Sequence, residues 1–133
     1  MVAYRAPPGN SNLFLNRLDD SIQSIYRANL NLILCGDINI DYLTENDRKR
    51  QLDSVLQMYN LIAKVTFPTR SQGISSTTID RIFIDNCKIS NYTVSPFFNS
   101  PSNHDAQLLT IKDINLQSLG HCVYIARNIN NIT

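Results

Sequence analysis

Apolar residues in this chain recur with two periods. Phe14, Leu15, Leu18, Ile22, Ile25 and Tyr26 fall at helical spacing, which predicts an amphipathic helix over 12–28, capped by Ser11 and ended by Asn29. Leu30 to Cys35 is a short apolar run, read as a strand buried on both faces. Ahead of the helix, Val2-Ala3-Tyr4 reads as the end of a strand entering a Pro7-Pro8-Gly9 turn. Strand–helix–strand order favours an α/β layer architecture. A strand end so close to Met1 leads us to expect that the natural domain starts upstream.

Gly36 to Leu43 is a loop rich in acids and asparagine. A second helix is expected behind Thr44 as its cap, with Glu45 and Asp47 near its positive end. Leu52, Val55, Leu56 and Tyr59 form its apolar stripe, and Asn60 ends it. Leu61 to Val65 suits a short strand, broken by Phe67-Pro68-Thr69-Arg70. Residues 71–77 read as a polar loop. Thr78 to Ile84 is β-branched and aromatic, hence a strand. Lys88 to Val94 and Ala106 to Lys112 complete the strands, with a loop from Ser95 to Asp105 between them. From Asp113 the periodicity fades, and 113–133 read as a linker.

Composition narrows the class. A chain of 133 residues, 43% hydrophobic, is one domain with a core of its own. The net charge of +1, without a basic block, supplies no electrostatic footprint for nucleic acid and excludes none. Cys35, Cys87 and Cys122 fit no zinc spacing and cannot all pair within one chain, so a reduced, intracellular protein is expected. The sequons at Asn91 and Asn131 are what chance gives in so asparagine-rich a sequence. No apolar run approaches transmembrane length, and no secretory leader is recognisable, so no membrane partner is expected.

Four polar residues sit at strand ends or inside strands: Asp37 with Asn39 in Leu34-Cys35-Gly36-Asp37-Ile38-Asn39, then Asp80, then His104. In α/β sheets such ends are where ligands bind. If the neighbouring strands run antiparallel, both ends meet on one rim. Together the four suit phosphoester hydrolysis. A carboxylate activates water, an amide holds a phosphoryl oxygen, and a histidine held by a carboxylate stabilises the phosphorane. Taken singly each has a structural reading. Asp-x-Asn forms turns, Asp80 could pair with Arg81 or Arg70, and a loop histidine can simply be solvated.

The set resembles a known family. Tyr4-Arg5-Ala6-Pro7-Pro8, Gly36-Asp37-Ile38-Asn39, Ile79-Asp80-Arg81-Ile82-Phe83 and Ser102-Asn103-His104 resemble, in order and spacing, motifs of the endonuclease/exonuclease/phosphatase superfamily. The likeness is greatest to the apurinic-type endonuclease domain of jockey-like non-LTR retrotransposons. It implies an α/β fold, the C-terminal part of a DNase I-like four-layer sandwich, over 1–112. The stretch 113–133 would then lead toward a reverse transcriptase region. It also implies Mg2+ or Mn2+ as cofactor, DNA as partner and the nucleus as location. By motif, Asp37 would activate water and help hold the metal, and Asn39 would contact the scissile phosphate. Asp80 would orient His104, His104 would stabilise the phosphorane, and Tyr4 would contact the phosphate or leaving group. Arg5 and Arg70 would contact the DNA backbone.

Two departures qualify that expectation. The family's N-terminal half, with the glutamate that is its main metal ligand, has no counterpart before Tyr4. Asn103 stands where the family has an aspartate that helps hold the metal, and an amide carries no charge for that task. The expectation is an endonuclease-derived chain that does not cut alone, with an uncovered sheet face inviting a protein partner or self-association. A non-catalytic interaction module and a lipid or inositol phosphatase are the competing readings.

Overall fold

The computed structural model describes residues 1–98 and 102–112. The expected linker over 113–133, Cys122 and the middle of the 95–105 loop lie outside the described residues. The elements run α1 (Ser11–Ile25), β1 (Ile33–Asp37), α2 (Asp47–Gln57), β2 (Leu61–Ala63), β3 (Arg70–Gln72), β4 (Ser75–Thr77), β5 (Asp80–Asp85), β6 (Tyr92–Phe97) and β7 (Ala106–Ile111).

β5 is the central strand, with β1 and β2 antiparallel on either side. The N-terminal segment extends this sheet in parallel with β1. Val2 bridges Cys35, and the Ala3 and Arg5 amides donate to the Cys35 and Asp37 carbonyls at 2.9 and 3.0 Å. The sheet is therefore mixed, as expected.

Strand alternation sends successive side chains to opposite faces, and each face has its own core. On one face Leu34, Leu61 and Phe83 pack against Leu15, Leu18 and Ile22 of α1 and Leu52 and Leu56 of α2. On the other, Ile82 and Ile84 meet Val94 of β6 with Leu109 and Ile111 of β7. Each fully buried side chain of this size contributes about 1.5–3 kcal/mol, so both layers are anchored. The expected bare sheet face is thus a correction, because the β6–β7 hairpin lies on it.

Both helix starts are shifted from expectation, for one reason. Asparagine caps each: Asn10 Oδ1 accepts from the Leu13 amide at 3.1 Å, and Asn46 Oδ1 from the Lys49 amide at 2.8 Å. Ser11 becomes the first helical residue instead of the cap. α2 begins at Asp47, with Thr44 left outside it. Asn60, at φ 57, follows the end of α2 in the left-handed region that asparagine tolerates.

Residues 71–77 are no loop. They hold most of the β3–β4 hairpin, turning at Gly73 (φ 60). Its strands are polar on both faces and carry no alternation to read. β6 starts at Tyr92 because Lys88 and Ile89 are used in a turn, where the Ile89 amide donates to Asp85 O at 3.0 Å. It runs through Pro96, which is possible because β6 pairs on one side only.

Candidate phosphoester-cleaving site

The site forms where β1 ends and β5 begins. Antiparallel register pairs Asp37 with Asp80, so both carboxylates leave the same sheet face at the same level. That face is the one covered by the hairpin, and a cleft of about 380 Å³ opens there, lined by Cys35, Asp37, Asp80, Ile82, Asp105 and Leu109.

His104 arrives from the far end of the chain. Its backbone bridges Arg70, and flanking hydrogen bonds lock the register: Ser71 N–H to Asn103 O at 3.0 Å, and Asp105 N–H to Thr69 O at 2.8 Å. Thr69, fully buried, also accepts at Oγ1 from the Ile79 and Asp80 amides at 3.2 and 3.1 Å. One residue therefore ties the start of β5 to the His104 segment. The outcome is Asp80 Oδ2 at 2.9 Å from His104 Nδ1. Ligand atoms of Asp37, Asp80 and His104 all lie within 4.8 Å of one another.

Asp37 is half-buried, and its carboxyl is raised above the usual range, chiefly by desolvation and further by the Asp80 charge. The Asn39 amide, His104 and Arg70 pull the other way. Two carboxylates facing each other with one raised suit a divalent cation, which binds hard oxygen ligands and relieves their repulsion. Asp37 and Asp80 are the oxygen donors that fit such an ion. Asn103 is exposed and gives its carbonyl to Ser71. Glu45 is the chain's sole glutamate. It sits just before α2, ion-paired with Lys49, and belongs to no cluster here.

The remaining predicted residues divide between site and scaffold. Tyr4 is 67% exposed, and the parallel register of the N-terminal segment places it beside Asp37. Arg70 is half-buried and near enough to lower the Asp37 carboxyl pKa. Asn39, at φ 48, is tied down at both ends: its N–H donates to Asp37 Oδ1 at 3.1 Å and its Nδ2 to Arg5 O at 2.6 Å. The first bond is an Asx-turn made by the Asp37 side chain, which fixes that carboxylate, and the left-handed φ is one that asparagine tolerates.

Arg5 is corrected. It is 3% exposed, and its guanidinium donates to Asn39 O at 3.1 Å, Gly9 O at 3.2 Å and Ser11 Oγ at 3.0 Å. Those bonds pin the Pro-Pro-Gly turn and the start of α1 to the Asp37 loop, leaving no face for a DNA backbone. Asp41 caps the loop by accepting from the Leu43 and Thr78 amides at 3.1 and 2.9 Å.

Thr69 and Gly36 were not singled out as site residues from sequence. Gly36 has φ 147, and a Cβ there would lie 1.8 Å from Ala3 O. Only glycine lets the N-terminal segment pass so close to β1. The glycine before Asp37 was the available signal.

No family model matches the chain, and no curated protein does. Among solved structures, it is similar to the endonuclease domain of TRAS1, a telomere-specific non-LTR retrotransposon. The TM-score is 0.64 with 20% identity, over 82% of this chain and 55% of that one. The chain thus has the fold of a retrotransposon endonuclease domain, as its motifs predict, and spans about half the length of that structure.

Proposed function

We propose that this chain is an endonuclease-derived part of a metal-dependent, DNA-nicking phosphodiesterase, and that it does not cut DNA alone. The observation that carries the reading is the convergence of Asp37, Asp80 and His104 within 4.8 Å, drawn from three separate segments. Likeness of fold to a retrotransposon endonuclease domain supports it.

In this reading the imidazolium form of His104, held by Asp80 through Nδ1–H, presents Nε2–H to a phosphoryl oxygen and stabilises charge developing on the phosphorane. Asp37 orients and deprotonates the attacking water, its raised pKa making it a better base than an ordinary aspartate. Tyr4 and Arg70 flank the phosphate, and Asn39 holds Asp37 while offering its second amide hydrogen. A Mg2+ or Mn2+ ion on Asp37 and Asp80 would polarise the phosphate. With one glutamate in the sequence, and that one engaged by Lys49, the ion would have few charged ligands and bind weakly. Losing even one electrostatic donor costs about 10²–10³ in rate.

Paramagnetic broadening by Mn2+ tests the metal reading. Signals of Asp37, Asp80 and His104 should broaden first, and Asp37→Ala should abolish this. Broadening centred elsewhere would contradict it. Within this reading, a nuclear location and DNA as partner follow from the substrate. Among the described residues no helix is long and apolar enough to cross a membrane.

A further inference from the structure

β5 carries polar chemistry on both faces. Asp80 faces the hairpin, and Arg81, by strand alternation, faces the helices. Arg81 is 2% exposed, an unusual place for a guanidinium. Its Cζ lies 4.0 Å from the centre of the Tyr42 ring and 6.0 Å from that of Phe83. Stacking on the π-face accommodates the charge but satisfies none of its N–H donors. Nε and Nη1 are buried without a hydrogen-bond partner, and no carboxylate among the described residues lies within ion-pair distance. Asp53, whose charge acts on Arg81 at longer range together with that of Asp41, accepts the Tyr42 hydroxyl at 2.8 Å instead. A buried cation with no ion-pair partner and two unpaired N–H donors is costly, and an apolar side chain would fill the same space more cheaply.

Arg81 lines a pocket of about 440 Å³ between α2, β2 and the loop after β1. Tyr42, Lys49, Asp53, Gln57 and Thr66 line its polar side, and Leu61, Ala63 and Val65 form apolar wall. The volume falls in the range of small-molecule sites, and the lining divides between an apolar wall and a polar side that includes a buried charge. We propose that this pocket binds a small monocarboxylate with an apolar body, its carboxylate seated on the Arg81 guanidinium beside Tyr42.

The planar fork of arginine matches a carboxylate bidentately. Asp53, which also lines the pocket, weighs more heavily against a doubly charged phosphate than against a singly charged carboxylate, and the apolar wall disfavours a fully polar ligand. Lys49 is already engaged by Glu45 and adds only a diffuse positive field. Desolvation brings the guanidinium down to about 10, which leaves it charged at neutral pH and ready for an anion. The pocket lies on the opposite sheet face from Asp37 and His104, so the inference stands independently of the nuclease reading.

The test titrates the whole chain with benzoate and, in parallel, with benzyl alcohol, the uncharged equivalent, at fixed ionic strength. Binding is followed by the Arg81 Nε–H, Tyr42 and Thr66 nuclear magnetic resonance signals. Saturable shifts with benzoate, at least about tenfold tighter than with the alcohol, and loss of that preference in Arg81→Met, are expected. Absence of saturation, equal affinity for the alcohol, or shifts centred away from these residues would overturn the proposal. If Arg81→Met fails to fold, Arg81→Lys serves as the second variant: it keeps the charge but loses the fork, and should weaken benzoate while sparing the alcohol. Unchanged benzoate affinity in Arg81→Lys, with the Arg81 Nε–H of the parent chain unmoved, would equally overturn it.

Discussion

Asp80 Oδ2 and His104 Nδ1 lie 2.9 Å apart across 24 residues of sequence. A carboxylate on Nδ1 fixes which nitrogen carries the proton of the neutral ring. The 15N shifts of the neutral His104 ring should therefore show Nδ1 protonated and Nε2 bare. In Asp80→Ala the ring should relax toward the Nε2–H form favoured by free histidine. An unchanged tautomer would mean that the pair does not orient the imidazole.

Gly36 is predicted to be irreplaceable for the rim on which Asp37 sits. An alanine there meets Ala3 O at 1.8 Å and keeps a φ of 147 that no L side chain favours. Gly36→Ala should cost about 2 kcal/mol or more in chemical denaturation. The Ala3 and Arg5 amides, which donate to Cys35 and Asp37, should lose hydrogen-exchange protection ahead of the rest.

Arg5 and Arg70 should separate cleanly. Arg5 is buried and bonded to backbone, so Arg5→Ala should lower stability by roughly 2–3 kcal/mol, the scale of a lost charged hydrogen-bond set. Arg70→Ala should leave stability nearly intact and weaken binding to duplex DNA, with the slope of affinity against salt falling by about one. The reverse assignment would show that Arg5 is the phosphate contact.

The raised Asp37 carboxyl has a sign that can be checked. The folded state holds the Asp37 proton more tightly than the unfolded chain does, so ionised Asp37 opposes folding. Its burden is full above the raised folded pKa and disappears as pH falls below the unfolded carboxylate value. Asp37→Asn keeps an acceptor for the Asn39 amide and should raise Tm at neutral pH. The difference should vanish by about pH 3, where an aspartate is protonated in both states. Adding Mn2+ at neutral pH should raise the parent's Tm and leave Asp37→Asn unmoved.

Much of this was legible in sequence where one physical signal dominated. Leu30 to Cys35 and Thr78 to Ile84 read as strands because short apolar and β-branched runs have few other uses, although β1 itself runs Ile33–Asp37 and takes in two residues read as loop. The meeting of Asp37 with Asp80 needed only that β1 and β5 run antiparallel. The polar β3–β4 hairpin was not legible, because Ser and Thr on both faces leave no period. The cap at Asn46 lost to Thr44 in reading, since either side chain can cap and tertiary contacts choose. Arg5 misled for a related reason: an arginine beside a turn looks solvated until the Asn39 and Gly9 carbonyls are seen around it. The covered sheet face was missed because a bare face followed from the family's absent N-terminal half, and strand patterns alone do not say that the β6–β7 hairpin packs on Ile82 and Ile84.

The central claim is that the chain carries half of a nicking site and does not cut alone. Conversion of supercoiled plasmid to nicked circles by the purified chain, with Mg2+ or Mn2+, measures it most directly, with His104→Ala and Asp37→Ala as controls. The account predicts no nicking above either control at any metal concentration. Robust nicking that Asp37→Ala abolishes would contradict it and show that Asp37, Asp80 and His104 suffice for cleavage.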